Sequence, residues 1–287
     1  MGKFVFLIAI SLSSLLMQGC SSVDAQKEAQ RKEEVKYEIE VGKVVAFQIV
    51  QAYGVWEDPL VTPYVARVGK SVALFAGRND FEYHFAILDN DGVNAFATPG
   101  GYIFITIGAL RSMQNEAQLA GVLGHEVAHV NQRHVIKNLP PPRGSKSFTD
   151  ILVNFLAAQG TVVSTATSEV ANRATQILFQ EGLQKEAELD ADARGLEYAL
   201  ATGYDVRGLP DFLSIIKAEK DKAGVAEVYH THPPLSLRLA EINKKISSEK
   251  LPSSNKYLPE RFKKNVLLPP PFVYEEEFDP CSGVTPC

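Results

Sequence analysis

The sequence predicts an α+β fold, predominantly helical, in which one buried helix packs against a small β-sheet. Three stretches carry that expectation. Leu119-Ala-Gly-Val-Leu-Gly124 and Val130 bracket a segment apolar enough to be a buried helix. Gln180 to Thr202 repeats small and apolar residues at helical spacing, opposite a charged stripe. Tyr102 to Ile107 is β-branched and aromatic, and Pro99-Gly100-Gly101 and Gly108 punctuate it as a strand.

The N-terminal segment is read as a processing signal. Lys3 precedes an apolar run, Phe4 to Met17, too short to be a comfortable membrane span. Met17-Gln-Gly-Cys20 resembles the lipobox of bacterial lipoproteins, which makes Cys20 the acylated residue, although Met17 and Gln18 depart from the usual Leu-Ala or Leu-Ser. An ordinary signal peptide cut nearby is the alternative. Ser21 and Ser22 by analogy direct such a lipoprotein to the outer membrane. Ser21 to about Lys43 is charged and mixed, a tether or a solvated helix.

Further along, the strand feeds the buried helix, which Asn115 caps with Gln118 three residues later. Arg143-Gly-Ser-Lys-Ser147 follows three prolines and reads as a mobile loop, a candidate lid. Ile151 to Ser168 holds no charge, but Asn154, Gln159, Gly160 and a run of Ser and Thr favour a buried or cleft-covering helix over a membrane span. A Pro-bounded loop at His232 leads into a helix from Leu235 to Ile246. From Pro252 the chain is rich in proline and then acidic, which reads as extended or partly disordered. The expected organisation is a lipoprotein signal peptide over 1–19, a charged tether over 20–44, a catalytic domain over 45–250 and a Pro-rich, acidic tail over 251–287.

Composition excludes several classes. The 287 residues carry a formal charge of −5 and no basic stripe, which argues against nucleic-acid binding. With three cysteines, one of them Cys20, a zinc-thiolate centre is not supported; Cys281 and Cys287 would pair in an oxidising compartment.

The chemistry concentrates in His125-Glu126-Val127-Ala128-His129. At about 3.6 residues per turn the two histidines stack on one helix face, so both imidazoles reach one point in space, as a catalytic zinc requires. Glu126 is turned about 100° away, out of chelating range but within reach of a metal-bound water. His134 lies about 180° round the helix from His125, so no third histidine follows, and a carboxylate is the natural third ligand. Glu188 supplies it: Asp192, Gly195, Leu196 and Ala199 share its small or apolar face, whereas Glu186, Asp190, Arg194 and Glu197 form the solvated stripe. Asp192, one turn on, is cast as the acceptor that fixes a ligand imidazole's tautomer. Glu181 on the same face is the rival ligand and ranks below, because no partner acid follows it by four.

These motifs resemble the gluzincin peptidase family that includes the prenyl-protein (CAAX) endopeptidases, the bacterial heat-shock protease HtpX and soluble periplasmic lipoprotein relatives. The family's His-Glu-x-x-His and later Glu-x-x-x-Asp match His125 to His129 and Glu188 to Asp192. Asn94-Ala-Phe-Ala-Thr-Pro-Gly-Gly-Tyr102 and onward to Gly108 is similar to its strand bordering the cleft, and His232-Pro233 with Arg238 to its second active-site segment. The resemblance implies a zincin-like active-site helix packed with a small β-sheet, and one Zn2+ per chain. It implies substrate contacts from Asn94, Ala95, Phe96, Gly100 and Gly101. The strand Tyr102 to Ile107 reads either as an exposed sheet edge able to pair with an extended peptide or as an ordinary core strand feeding a helix, and the resemblance favours substrate binding. His232 is expected at the developing oxyanion or at the open zinc position, and Arg238 at the oxyanion or the peptide backbone. His230 and His84 carry no such expectation.

The function expected is a zinc-dependent endopeptidase of the bacterial cell envelope. It would be lipid-anchored on the periplasmic side of the outer membrane and act on unfolded or misfolded envelope proteins. A chaperone-like or binding factor with a closed, weakly active zinc site is the alternative. A zinc hydrolase acting on cell-wall peptide cross-links ranks last, because no carbohydrate-reading aromatic platform is present.

Overall fold

The computed structural model describes residues 2–139, 163–223 and 232–271, with side chains from 25 and, after the first gap, from 169. The 143–147 loop, residues 151–162 of the uncharged stretch, His230, Cys281, Cys287 and the side chain of Cys20 lie outside the described residues. In chain order the elements are α1 (Gly2–Tyr53), β1 (Val55–Trp56), α2 (Val61–Ala73), β2 (His84–Leu88), β3 (Ala95–Thr98), β4 (Tyr102–Thr106), α3 (Ile107–Ser112), α4 (Glu116–Asn131) and α5 (His134–Asn138). Then follow α6 (Val163–Gln176), α7 (Lys185–Ala201), α8 (Gly208–Lys222), α9 (Leu235–Ser248) and α10 (Pro259–Asn265). Among the described residues no helix is long and apolar enough to cross a membrane.

Four strands form one sheet in the order β1-β2-β4-β3. β2 and β4 run parallel from His84 opposite Tyr102 to Leu88 opposite Thr106, and β3 pairs antiparallel to β4 from Ala95 opposite Ile105 to Thr98 opposite Tyr102. Of the two readings of Tyr102 to Ile107, exposed edge or core strand, the second holds: most of it is the interior strand β4, and the edge on that side belongs to β3. Sequence could not make that distinction, because β4 is apolar on both faces and such a run does not say where its neighbours lie. Ile103 and Ile105 enter the core shared with α2, α4, α7 and α8, whereas Phe104 and Phe96 enter a second core under α1.

That second core redraws the N-terminal expectation. Tyr37, Val41, Val45 and Ile49, each four residues from the next, form a buried stripe of α1 against the sheet. Glu38 is anchored to Arg78 at 2.9 Å and to Arg133 at 2.7 Å. From Val35 onward the segment read as a tether or a solvated helix is thus part of the fold, and its charged residues other than the buried Glu38 occupy the rest of the helix surface. The expected cleavage point before Cys20 falls within the same helix.

Residues after Pro252 also depart from an extended tail. Phe262 of α10 is buried in the main core, and Arg261 forks onto the carboxylate of Glu116. Tyr64 and Tyr204 donate hydroxyl hydrogen bonds to the same carboxylate at 2.6 and 2.5 Å. Glu116 sits in the first turn of α4, so this cluster ties the C-terminal segment to the base of the motif helix.

Candidate active site

α4 begins as its sequence predicts. The Asn115 side chain accepts from Gln118 N–H at 3.0 Å, and the Gln118 side chain accepts in return from Gln114 N–H at 2.7 Å. The helix is buried on nearly all sides, so its polar motif must be satisfied internally. α7 supplies the answer by crossing α4 at Gly124 and Gly195. A Cβ on Gly195 would lie 2.7 Å from His125 N, and one on Gly124 2.9 Å from Gly195 O. Only two glycines allow this approach, which brings Glu188 and Asp192 under the histidines.

His125, His129 and Glu188 each offer a ligand atom within 4.8 Å of the others. The two Nε2 atoms are 2.9 Å apart, His129 Nε2 is 3.4 Å from Glu188 Oε1, and His125 Nε2 is 3.6 Å from Glu188 Oε2. A tetrahedral ion with bonds near 2.1 Å spaces its ligand atoms by roughly 3.4 Å, so the group fits a divalent metal. Glu188 Oε1 is buried with no hydrogen-bond partner, which is costly unless a cation meets it.

The charges agree with that reading. Burial opposes ionisation of Glu188, but His232 and His129 outweigh it and hold the carboxyl well below its ordinary range. Burial, aided by His125, His134 and His232 against the pull of Glu188, drives the His129 ring well below the usual imidazole value, so it is neutral and has a lone pair to give. At His125, burial and Arg238 resist protonation, yet the bonds to Asp192 and Glu188 push the ring up to about 9: the site attracts positive charge. Glu126 is also buried, and its carboxyl is raised by desolvation against the pull of His125 and His232.

Asp192 Oδ1 lies 2.9 Å from His125 Nδ1, the atom turned away from Glu188. Arg238 Nη2 is 3.3 Å from that nitrogen, but a protonated Nδ1 and a guanidinium are both donors, so the bonds of Arg238 run to Asp192. The guanidinium, buried and bonded twice to this carboxylate, is a support beneath His125, and it also lines the pocket shared by His125, Glu126 and His232. His232 Nδ1 bonds Glu188 Oε2 at 2.7 Å, so in this arrangement the ring rests on the candidate ligand carboxylate.

The substrate-contact expectations divide. Asn94 and Ala95 line a pocket with His125 and Glu126, and Ala95 and Phe96 line a smaller recess with Glu126, His129 and Glu188. Gly100 and Gly101 do not join them. They occupy a turn at the far end of β3 with φ of 73° and 95°, and a Cβ on Gly100 would meet Ile39 Cα at 2.6 Å. Their freedom of conformation serves the hairpin and the seat of α1.

Sequence reasoning missed two features. The larger pocket has apolar walls from Val122, Leu209, Phe212, Leu213 and Ile216, with Lys220 among its lining. The α8 residues had no signal apart from ordinary amphipathic spacing. His134, set aside as pointing away from the motif, has its Nδ1 3.0 Å from His129 Nδ1.

The Beta-barrel assembly-enhancing protease of Escherichia coli (strain K12) is 28% identical over 211 residues, which is 71% of this chain and 42% of that protein. The protein of the same name in Yersinia pestis is 26% identical over 266 residues, 85% of this chain and 54% of its own length. Mitochondrial metalloendopeptidase OMA1 of Schizosaccharomyces pombe is 27% identical over 186 residues, 63% of this chain and 52% of its length. The chain spans about half the length of these curated relatives. The profile of Peptidase family M48 matches residues 59–246, a span that contains α2 through most of α9 and every residue of the candidate metal group, and the chain belongs to that family.

Proposed function

We propose that the protein is a zinc-dependent endopeptidase, with His125, His129 and Glu188 holding one Zn2+. The unpartnered, buried Glu188 Oε1 facing His129 Nε2 is the observation that carries this reading. Two imidazoles and one carboxylate are a donor set that suits zinc and leaves a position open. When bound, the ion acidifies water to a pKa of about 7 and polarises a carbonyl. Glu126, outside the ligand set and raised by burial, takes a proton on its carboxylate and returns it to the leaving amine.

An extended polypeptide lies along the edge strand β3 beside Asn94 and Ala95, taking affinity from main-chain hydrogen bonds. The apolar pocket receives a large side chain next to the scissile bond. His232, released from Glu188, turns to the oxyanion or to the open ligand position. Unfolded or misfolded envelope proteins are the proposed substrates; the name of the bacterial relatives, Beta-barrel assembly-enhancing protease, supports a place in the envelope. Acylation of Cys20 would hold the chain on the periplasmic side of the outer membrane.

The test is zinc content together with cleavage of casein, with and without chelator, for the unaltered chain and for Glu126→Gln. Zinc retained by Glu126→Gln with at least about a hundredfold loss of cleavage is expected. Cleavage indifferent to chelator, or undiminished in Glu126→Gln, would overturn the proposal. A zinc-loaded chain that suppresses client aggregation but cuts nothing would favour the chaperone-like alternative.

A further inference from the structure

The helix that carries the motif does not continue to His134. Residues 132 and 133 form a turn in which Arg133 adopts φ 59°, and His134 opens the separate helix α5. The 100° step of a continuous helix therefore does not apply across this break. The buried ring of His134 swings back so that its centroid is 5.0 Å from that of His129, edge to face. The two Nδ1 atoms come within 3.0 Å, and the other nitrogen of His134, Nε2, is 3.3 Å from Asp190 Oδ2. Asp190 in turn accepts from Arg194 at 2.9 and 3.0 Å.

Hydrogen counting then fixes the direction of every bond. A short contact between two ring nitrogens needs one proton, with one ring donating and the other accepting. His129 directs Nε2 toward His125 Nε2 and Glu188, so on the metal-site reading that atom keeps its lone pair for the ion and the proton sits on Nδ1. His129 is then the donor. His134 must accept at Nδ1, must carry its own proton on Nε2, and must donate it to Asp190. Each histidine of the motif thus has a different support from α7: His125 rests directly on Asp192, His129 on Asp190 through His134.

We propose that His134, backed by Asp190, is a positioning residue that sets the tautomer and ring orientation of His129 for metal binding. This rests on the metal-site reading above. Such outer partners are worth about ten- to a hundredfold in metal affinity when removed.

Two measurements on the full chain decide it. Long-range 1H–15N correlation on the zinc-loaded, histidine-labelled protein reads the tautomer directly; His134 protonated on Nε2 is expected, and His134 protonated on Nδ1 overturns the proposal without any substitution. Competition with a chromophoric chelator reads zinc affinity, with circular dichroism confirming the fold of each variant. His134→Phe should weaken zinc by about tenfold or more, and His134→Asn, whose side-chain oxygen can accept near the Nδ1 position, should recover most of the loss. Unchanged affinity in His134→Phe, or equal losses in both variants, would reduce His134 to a packing residue. Zinc uptake by the unaltered chain reports on the ion site itself, so failure of the site and failure of its support read differently.

Discussion

Arg238 grips Asp192 through two bonds, Nε to Oδ2 at 2.9 Å and Nη2 to Oδ1 at 2.6 Å. Both partners are buried, and the carboxyl is held down at about 2, because Arg238 and His125 together outweigh the cost of its burial. Asp192 can therefore accept from His125 as a full anion inside the protein. Removing one member of such a pair leaves a buried charge unmatched. Arg238→Ala should cost about 3–5 kcal/mol of stability and read out as a lower denaturation midpoint in urea. A midpoint equal to that of the unaltered chain would show that Asp192 finds its compensation elsewhere.

Glu116 should contribute to the acid sensitivity of the fold. Burial pushes its carboxyl up, but Arg261, Tyr204 and Tyr64 prevail, and its folded value lies below the ordinary carboxylate range. The unfolded chain therefore binds the proton more tightly than the folded one. The stability this cluster contributes is complete above the unfolded value of 4.5 and is lost as pH falls through the depressed folded value. Glu116→Gln should flatten that acid limb while lowering stability at neutral pH, as thermal melts between pH 7 and pH 3 would show. An acid limb of unchanged steepness would assign the sensitivity to other groups.

The contact of α4 with α7 should tolerate no side chain at Gly195. A methyl there would sit 2.7 Å from His125 N and 3.0 Å from Gly124 C, both backbone atoms that cannot rotate aside. Gly195→Ala should cost about 1–3 kcal/mol and, by displacing α7, weaken zinc binding as well. Equilibrium dialysis against zinc checks the second effect; affinity equal to the unaltered chain would mean that α7 shifts without carrying Glu188.

Side-chain selection should reside in α8. Leu209, Phe212, Leu213 and Ile216 wall the pocket that opens onto Glu126 and His125. Peptides with Leu, Phe or Met beside the scissile bond should be cut faster than their Asp or Gly counterparts. Leu213→Asp should lower kcat/KM for the apolar peptides by about tenfold or more with zinc content intact. Equal losses across apolar and acidic peptides would point to general damage instead of selection.

Much of the site was legible in one dimension because helical periodicity is local. Spacing alone stacked His125 over His129, turned Glu126 aside, and put Glu188 and Asp192 on the buried face of α7, where both are found. The Asn115 cap was legible for the same reason. Periodicity fails where the helix ends: at Arg133 the backbone leaves the helical region, and the angle that sent His134 away from the metal site no longer holds. It also fails for partners chosen by packing. The double grip of Arg238 on Asp192, the turn function of Gly100 and Gly101, the burial of α1 from Val35 and the docking of Phe262 each join segments far apart in sequence.

By itself, then, the chain's order of residues determined its class, its motif helix and the groups able to meet a divalent ion, since these follow from residue type and the pitch of one helix. Which strand became the edge, which arginine supports which acid, and which histidine backs His129 were decided only on folding. Those choices depend on how surfaces close against one another, and no single segment contains that information.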